Sequence, residues 1–96
     1  MFKVALRKAI YFTEIGDYEN RESLVAEVQL PFAPYPGLRV FLNSSGLGEA
    51  VIESVTWFND GQYFECASVP DLSQDRDLSF WLEDGGWVRQ RDRRRA

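Results

Sequence analysis

The stretch Val55–Cys66, which reads VTWFNDGQYFEC, predicts a β-hairpin. Asp60-Gly61 is a favoured two-residue loop of type I′, because both central residues of that turn need a positive φ. With this loop Phe58 faces Tyr63, and the pairing continues to Val55 opposite Cys66. One side of the hairpin is then uniformly apolar, which supports the register and places four side chains toward a core: Val55, Trp57, Phe64 and Cys66.

The other side of the hairpin carries Phe58 and Tyr63 next to each other. Both aromatic residues lie beside a tight turn on the side that we expect to face solvent, and the alternative is that a second sheet buries them in the core. Continuing the alternation away from the turn would bring Glu53 onto the apolar side. We therefore predict a β-bulge near Glu53 and Ser54 that returns Ile52 to the core.

Upstream of the hairpin, residues 35–38 read YPGL and predict a type II turn, since proline presets its own φ and glycine accepts the positive φ that follows. Prolines cannot donate to a sheet ladder, so this corner should run along an edge, with Phe32 in the core and Tyr35 projecting outward. A strand, LRVFLN, should follow directly. Residues 31–34, PFAP, also match the PxxP pattern bound by SH3 domains, but a corner tethered between strands is favoured over a free polyproline ligand.

The N-terminal third shows the same period-two pattern. Residues 2–13 predict a long half-buried strand in which Lys8 is the one charge on the apolar face. Residues 14–23 predict an acidic loop, and alternation resumes over residues 24–32. A helix over residues 18–28 is the alternative.

The C-terminal stretch 77–90, DLSFWLEDGGWVRQ, predicts a second hairpin turning at residues 84–86, and residues 71–77 predict one helical turn. Six to seven short strands indicate an all-β fold, either a small antiparallel barrel or a compact sandwich. The order of PGLRVFL, EAVIESVTWF and QYFECAS resembles the middle strands of a small SH3-like barrel. This resemblance implies a shape and no functional residue.

The chain has 96 residues, which suit one domain over residues 1–90 followed by a basic arginine-rich tail over 91–96. Cys66 is the only cysteine, so an intrachain disulfide and a zinc site built on several thiolates are excluded. Charges interrupt the N-terminal apolar residues, so we expect neither a signal peptide nor a membrane span and predict a cytoplasmic protein.

The residue types argue against an enzyme. The chain contains no histidine, which removes Ser-His and Cys-His nucleophile pairs and every histidine metal site, and it has no glycine-rich phosphate loop. Cys66 falls on the apolar side of the hairpin, where a thiol acts as a small hydrophobic group. We therefore expect no catalytic residue, no cofactor and no metal.

Charge is divided unevenly along the chain. The net charge of the chain is −4. Residues 89–96 have a charge of +4, so residues 1–88 have a charge of −8. An acidic body repels the phosphate backbone, so we expect no direct nucleic-acid binding by the folded body and only the tail could contribute.

Two functions remain, and both require a partner protein. The first is a non-enzymatic interaction module that uses exposed aromatic residues as anchors: Phe58, Tyr63 and Tyr35. The second is an inhibitor that blocks a nucleic-acid-binding site on its target by acidic mimicry. Its small size, acidic body and missing catalytic chemistry resemble the inhibitors of mobile genetic elements, anti-CRISPR proteins among them. Its acidic surface would use Glu14, Asp17, Glu19 and Glu22.

Overall fold

A computed structural model of the chain describes residues 1–12, 21–74 and 77–93. The prediction of an all-β fold is confirmed, since strands dominate this part of the chain. The strands are β1 (Phe2–Phe12), β2 (Arg21–Leu30), β3 (Arg39–Val40), β4 (Ala50–Phe58), β5 (Tyr63–Ser68), β6 (Asp71–Ser73) and β7 (Val88–Arg89). The alternative of a helix over residues 18–28 is wrong for the described residues from Arg21 onward, because they form β2.

The strands form one curled sheet, a half-barrel, in the order β3-β4-β5-β1-β2-β7, with β6 also beside β1. Neighbours β3, β4 and β5 are antiparallel, as the SH3-like resemblance implies, and β1 is antiparallel to β2. The sheet is nevertheless mixed, because β5 and β6 run parallel to β1. The chain from Phe64 to Ser73 follows β1 in one direction, which an antiparallel barrel does not do.

The β4–β5 hairpin has the predicted register. Phe58 pairs with Tyr63, the pairing continues to Val55 opposite Cys66, and a bulge lies between Ile52 and Ser54. The turn differs from the prediction, because its positive φ of 54° falls on Gln62 and not on Gly61. The connection is therefore a four-residue loop, Asn59–Gln62. It extends the two-residue loop equally on both sides and so preserves the register.

The corner at residues 35–38 is also as predicted. The amide of Leu38 donates to the carbonyl of Tyr35 at 3.2 Å, and Gly37 has a φ of 94°. The expected strand is short, since only Arg39–Val40 pair with β4. The prediction that Phe32 packs in the core is wrong, because that side chain is 44% exposed. Pro34 is the buried residue of this corner.

The second predicted hairpin is wrong. Residues Phe80–Asp84 form one turn of π-helix, and Gln90–Arg93 form a short helix, α1. Leu78, Trp81 and Trp87 are all buried, and they reach the core by helical spacing and a reversal of the chain, which strand alternation cannot produce. The predicted helical turn at residues 71–77 is wrong in its described part, because Asp71–Ser73 form β6.

The core lies on the concave face of the half-barrel. Alternate residues of β1 enter it, and they meet side chains from β2, β4 and β5 and from the C-terminal segment. The indole nitrogen of Trp87 donates to the carbonyl of Gly48 at 2.9 Å, which satisfies the polar atom of this buried ring. The C-terminal segment, residues 78–87, therefore covers one end of the concave face.

Candidate protein-interaction surface

The convex side of the hairpin carries the aromatic pair Phe58 and Tyr63. Their ring centroids are 5.2 Å apart with an interplanar angle of 15°, so the rings stack. Phe58 is 36% exposed and Tyr63 is half-buried. The register places them together because they are direct cross-strand partners next to the loop.

The concave side of the same hairpin carries a second aromatic cluster. The ring centroids of Trp57 and Phe64 are 4.7 Å apart, and the ring centroid of Phe2 in β1 lies 5.8 Å from that of Phe64. Trp57 is 45% exposed, so the prediction that it lies in the core is wrong. The alternation assigned Trp57 to the correct face. The described residues, however, do not fully cover the part of that face where Trp57 lies.

Tyr35, the third predicted anchor, is 52% exposed beside Phe32 at the corner before β3. The two rings lie 6.2 Å apart. Within the described part of the chain, no ring contact connects this pair with the aromatic residues of the hairpin. The structure therefore brings Phe58 and Tyr63 together and leaves Tyr35 in a separate pair. Neither Trp57 nor Phe2 was predicted as an exposed anchor, because period-two alternation does not indicate where a face ends.

Charges around the hairpin are mainly negative. Residues 40–75 contain no lysine or arginine and six acidic residues: Glu49, Glu53, Asp60, Glu65, Asp71 and Asp75. Arg7 of β1 pairs with Glu65, and Arg39 pairs with Glu49 at 3.0 Å. Glu53 and Asp60 are exposed, and neither forms an ion pair with any described residue. The hairpin therefore keeps uncompensated negative charge on either side of Ser54–Phe58, the part of β4 next to the loop.

The alternative acidic surface is only partly described. Glu14, Asp17 and Glu19 lie outside the described residues. Glu22 is in β2, and its carboxylate lies 3.1 Å from Nε of Arg91 and 3.8 Å from Nε of Arg89. The basic segment near the C-terminus thus neutralises the one member of this group that the structure describes.

Lys8 is the most deeply buried charge in the described structure, with 4% of the residue exposed. Its Nζ donates to the carbonyl oxygen of Glu49 at 2.7 Å and lies 3.8 Å from Asp71 and 4.7 Å from the centroid of the Trp81 ring. Burial lowers the pKa of Lys8 below its ordinary value of 10.5, while the charges of Asp71 and Glu49 oppose that shift. The ammonium group thus ties β1 to β6 and to the residue before β4.

Cys66 is completely buried, and burial raises the pKa of its thiol. A protonated thiol in an apolar environment is a poor nucleophile, which agrees with the structural role predicted for this residue. Among the residues that the structure describes, no group of three or more acidic or cysteine side chains could hold a metal ion. None of the described helices is both long and apolar enough to span a bilayer.

Comparisons with protein-family models, with curated proteins and with solved structures find no match to this chain.

Proposed function

We propose that this protein is a non-enzymatic interaction module that binds a partner protein through the aromatic residues of the β4–β5 hairpin. The observation that carries the proposal is the pair of aromatic clusters on opposite faces of one hairpin, which leaves Trp57 and Phe58 45% and 36% exposed. Single exposed apolar side chains are common on protein surfaces, but a group of large rings marks an interaction site.

The construction of the hairpin supports a binding role. The loop and the bulge fix the register, so Phe58 and Tyr63 keep their stacked arrangement without a partner. Rings held in place lose little conformational entropy on binding, and aromatic side chains are enriched among the residues that dominate interface energies. We expect the interaction to occur in the cytoplasm, where the reduced thiol of Cys66 is compatible with the compartment.

The test is capture of partners from a cell lysate by the immobilised protein, compared with the double variant Phe58→Ser, Tyr63→Ser. If the hairpin carries binding, the partner that the wild type retains should be lost from the double variant at low and at moderate salt, because apolar anchors dominate the interface. The matched control is Phe80→Ser, which removes a ring that is 46% exposed but lies outside the hairpin. That variant should retain the partner.

The same assay tests acidic mimicry. Replacing Glu14, Asp17 and Glu19 with lysine reverses the charge of the acidic segment and retains Glu22, which pairs with Arg91. If mimicry carries binding, this variant should lose the partner, and moderate salt should release it from the wild type, because exposed charges are screened within about 10 Å at 0.1 M. A partner that tolerates both serine substitutions but dissociates in moderate salt would refute the aromatic proposal.

A further inference from the structure

The outer strand of the hairpin has an open edge. On the side away from β5, β4 pairs with β3 only at Ala50 and Val51, and Ile52 bonds to Gly37 and Leu38. From Ser54 to Phe58, no other strand among the described residues pairs with this side of β4. Every second residue of that stretch therefore directs its backbone N–H and C=O away from β5, to a side where no described strand pairs with them.

Natural proteins protect such edges with lysine, proline, bulges or very short strands. Here the bulge lies between Ile52 and Ser54, before the open stretch begins, and SVTWF itself contains no charge and no proline. Two of its five residues are β-branched and two are aromatic, which suits pairing with another strand. The open stretch is thus a competent template for strand addition.

A partner that binds this hairpin has to account for exposed aromatic rings on both of its faces. Trp57 and Phe58 are consecutive, so their side chains point to opposite faces of the sheet. A partner that covers one face of the hairpin would contact only one of them. An added strand would contact both, because its own side chains alternate between the two faces and lie beside each ring as cross-strand neighbours.

We propose that the partner adds an extended segment to the open edge of β4 at Ser54–Phe58, and that this segment is apolar in its centre and carries lysine or arginine at both ends. This inference rests on the proposed function and specifies how the hairpin binds. Its chemistry follows from Glu53 and Asp60, the exposed carboxylates without an ion-pair partner in the described structure that bracket the stretch. Basic residues at both ends of an incoming strand would meet them in either direction.

The same charges disfavour a second copy of this chain as the occupant. Two β4 edges paired antiparallel would bring Glu53 of one copy next to Asp60 of the other at each end. Like charges in opposed positions destabilise a strand pair, and the stretch offers no cation to compensate.

The test starts from a displayed library of random linear peptides selected against the full protein at low salt. The peptides recovered should share alternating β-branched or aromatic residues, with lysine or arginine near both ends. Binding of a recovered peptide should slow amide hydrogen exchange at alternate residues of Ser54–Phe58, a signature that side-chain docking alone does not produce.

The matched variant is Glu53→Gln, Asp60→Asn, which removes both charges and retains the side-chain oxygen that accepts a hydrogen bond from the amide of Gly61. Its affinity for a recovered peptide should fall by about tenfold, as expected for two partly exposed ion pairs. An unchanged affinity would overturn the charge assignment.

Three other outcomes overturn the inference. They are recovery of no peptide, recovery of peptides that bind without slowing exchange at the β4 edge, and slowed exchange that appears with rising protein concentration alone, which would identify a second copy as the occupant. Failure of the proposed function is separate, because it would appear as a cellular partner that the Phe58→Ser, Tyr63→Ser variant still binds.

Discussion

Trp57 and Lys8 lie on the same face of one sheet, yet the tryptophan is 45% exposed and the lysine only 4%. Residue type alone would predict the reverse. The difference is what covers each end of the face. Trp81 and the backbone of Glu49 lie against Lys8, whereas Trp57 contacts Phe64 near the open end of the hairpin. Alternation thus assigns a side chain to a face, and the connections between strands decide which part of that face is buried.

The largest expected difference between the covered end and the open end of this face is in the loss of stability when Trp81 or Trp57 is truncated. Trp81→Ala removes a ring that is 4% exposed and should lower the free energy of unfolding by about 3 to 5 kcal/mol. Trp57→Ala removes a ring that is 45% exposed and should lower it by about 1 kcal/mol, the scale of an aromatic pair. Denaturant unfolding of the two variants provides the measurement.

Equal losses would mean that the open end of the face is buried in solution, by a second copy or by residues outside the described part of the chain. Repeating the Trp57→Ala measurement at several protein concentrations distinguishes these two explanations. Only an assembly makes the cost depend on concentration.

The sequence was sufficient for features that depend on nearby residues. The register of the hairpin follows from the loop and from the alternation on either side of it, and the bulge follows from one misplaced charge at Glu53. The Tyr35–Leu38 corner follows from proline and glycine at fixed turn positions. For the candidate site, this was enough to place Phe58 beside Tyr63.

The wrong predictions concern features that depend on contacts between residues far apart in the sequence. The acids and glycines between Trp81 and Trp87 favour a hairpin turn, but burial of Trp81 against Lys8 and of Trp87 against the loop before β4 selects a helical turn. The parallel course of β5 beside β1 likewise has no local signal. The exposure of Trp57 could not be predicted because the segment that would have to cover it could not be placed.

The burial of Lys8 should appear in the pH dependence of stability. Burial lowers the pKa of its ammonium group in the folded protein below 10.5, its ordinary value, so between the two pKa values the unfolded chain binds more protons. Stability contributed by this group therefore rises with pH through that window and levels off above 10.5. The free energy of unfolding of the wild type minus that of Lys8→Met should increase as the pH rises through this window toward 10.5.

The subtraction is needed because Cys66 acts in the opposite direction. Burial raises the pKa of its thiol above 9.0, so its contribution to stability falls as the unfolded chain loses the proton first. Both proteins contain Cys66, and its effect cancels in the difference. A difference that is flat with pH would show that folding does not lower the pKa of Lys8.

The smallest expected effect concerns the loop at the open end. A Cβ at residue 61 would lie 2.6 Å from Cε1 of Tyr63, although Gly61 itself has no positive φ. Gly61→Ala should therefore turn the Tyr63 ring away from Phe58 and lower the free energy of unfolding by about 0.5 to 1.5 kcal/mol, the value of an aromatic pair. In a Tyr63→Ala background the same substitution should cost almost nothing, so denaturant unfolding of the four proteins should give a coupling of that size. If Gly61→Ala lowers the free energy of unfolding equally in both backgrounds, the cost arises in the backbone, as the left-handed two-residue turn predicts. The stacking of Phe58 on Tyr63 would then not depend on the absence of a side chain at residue 61.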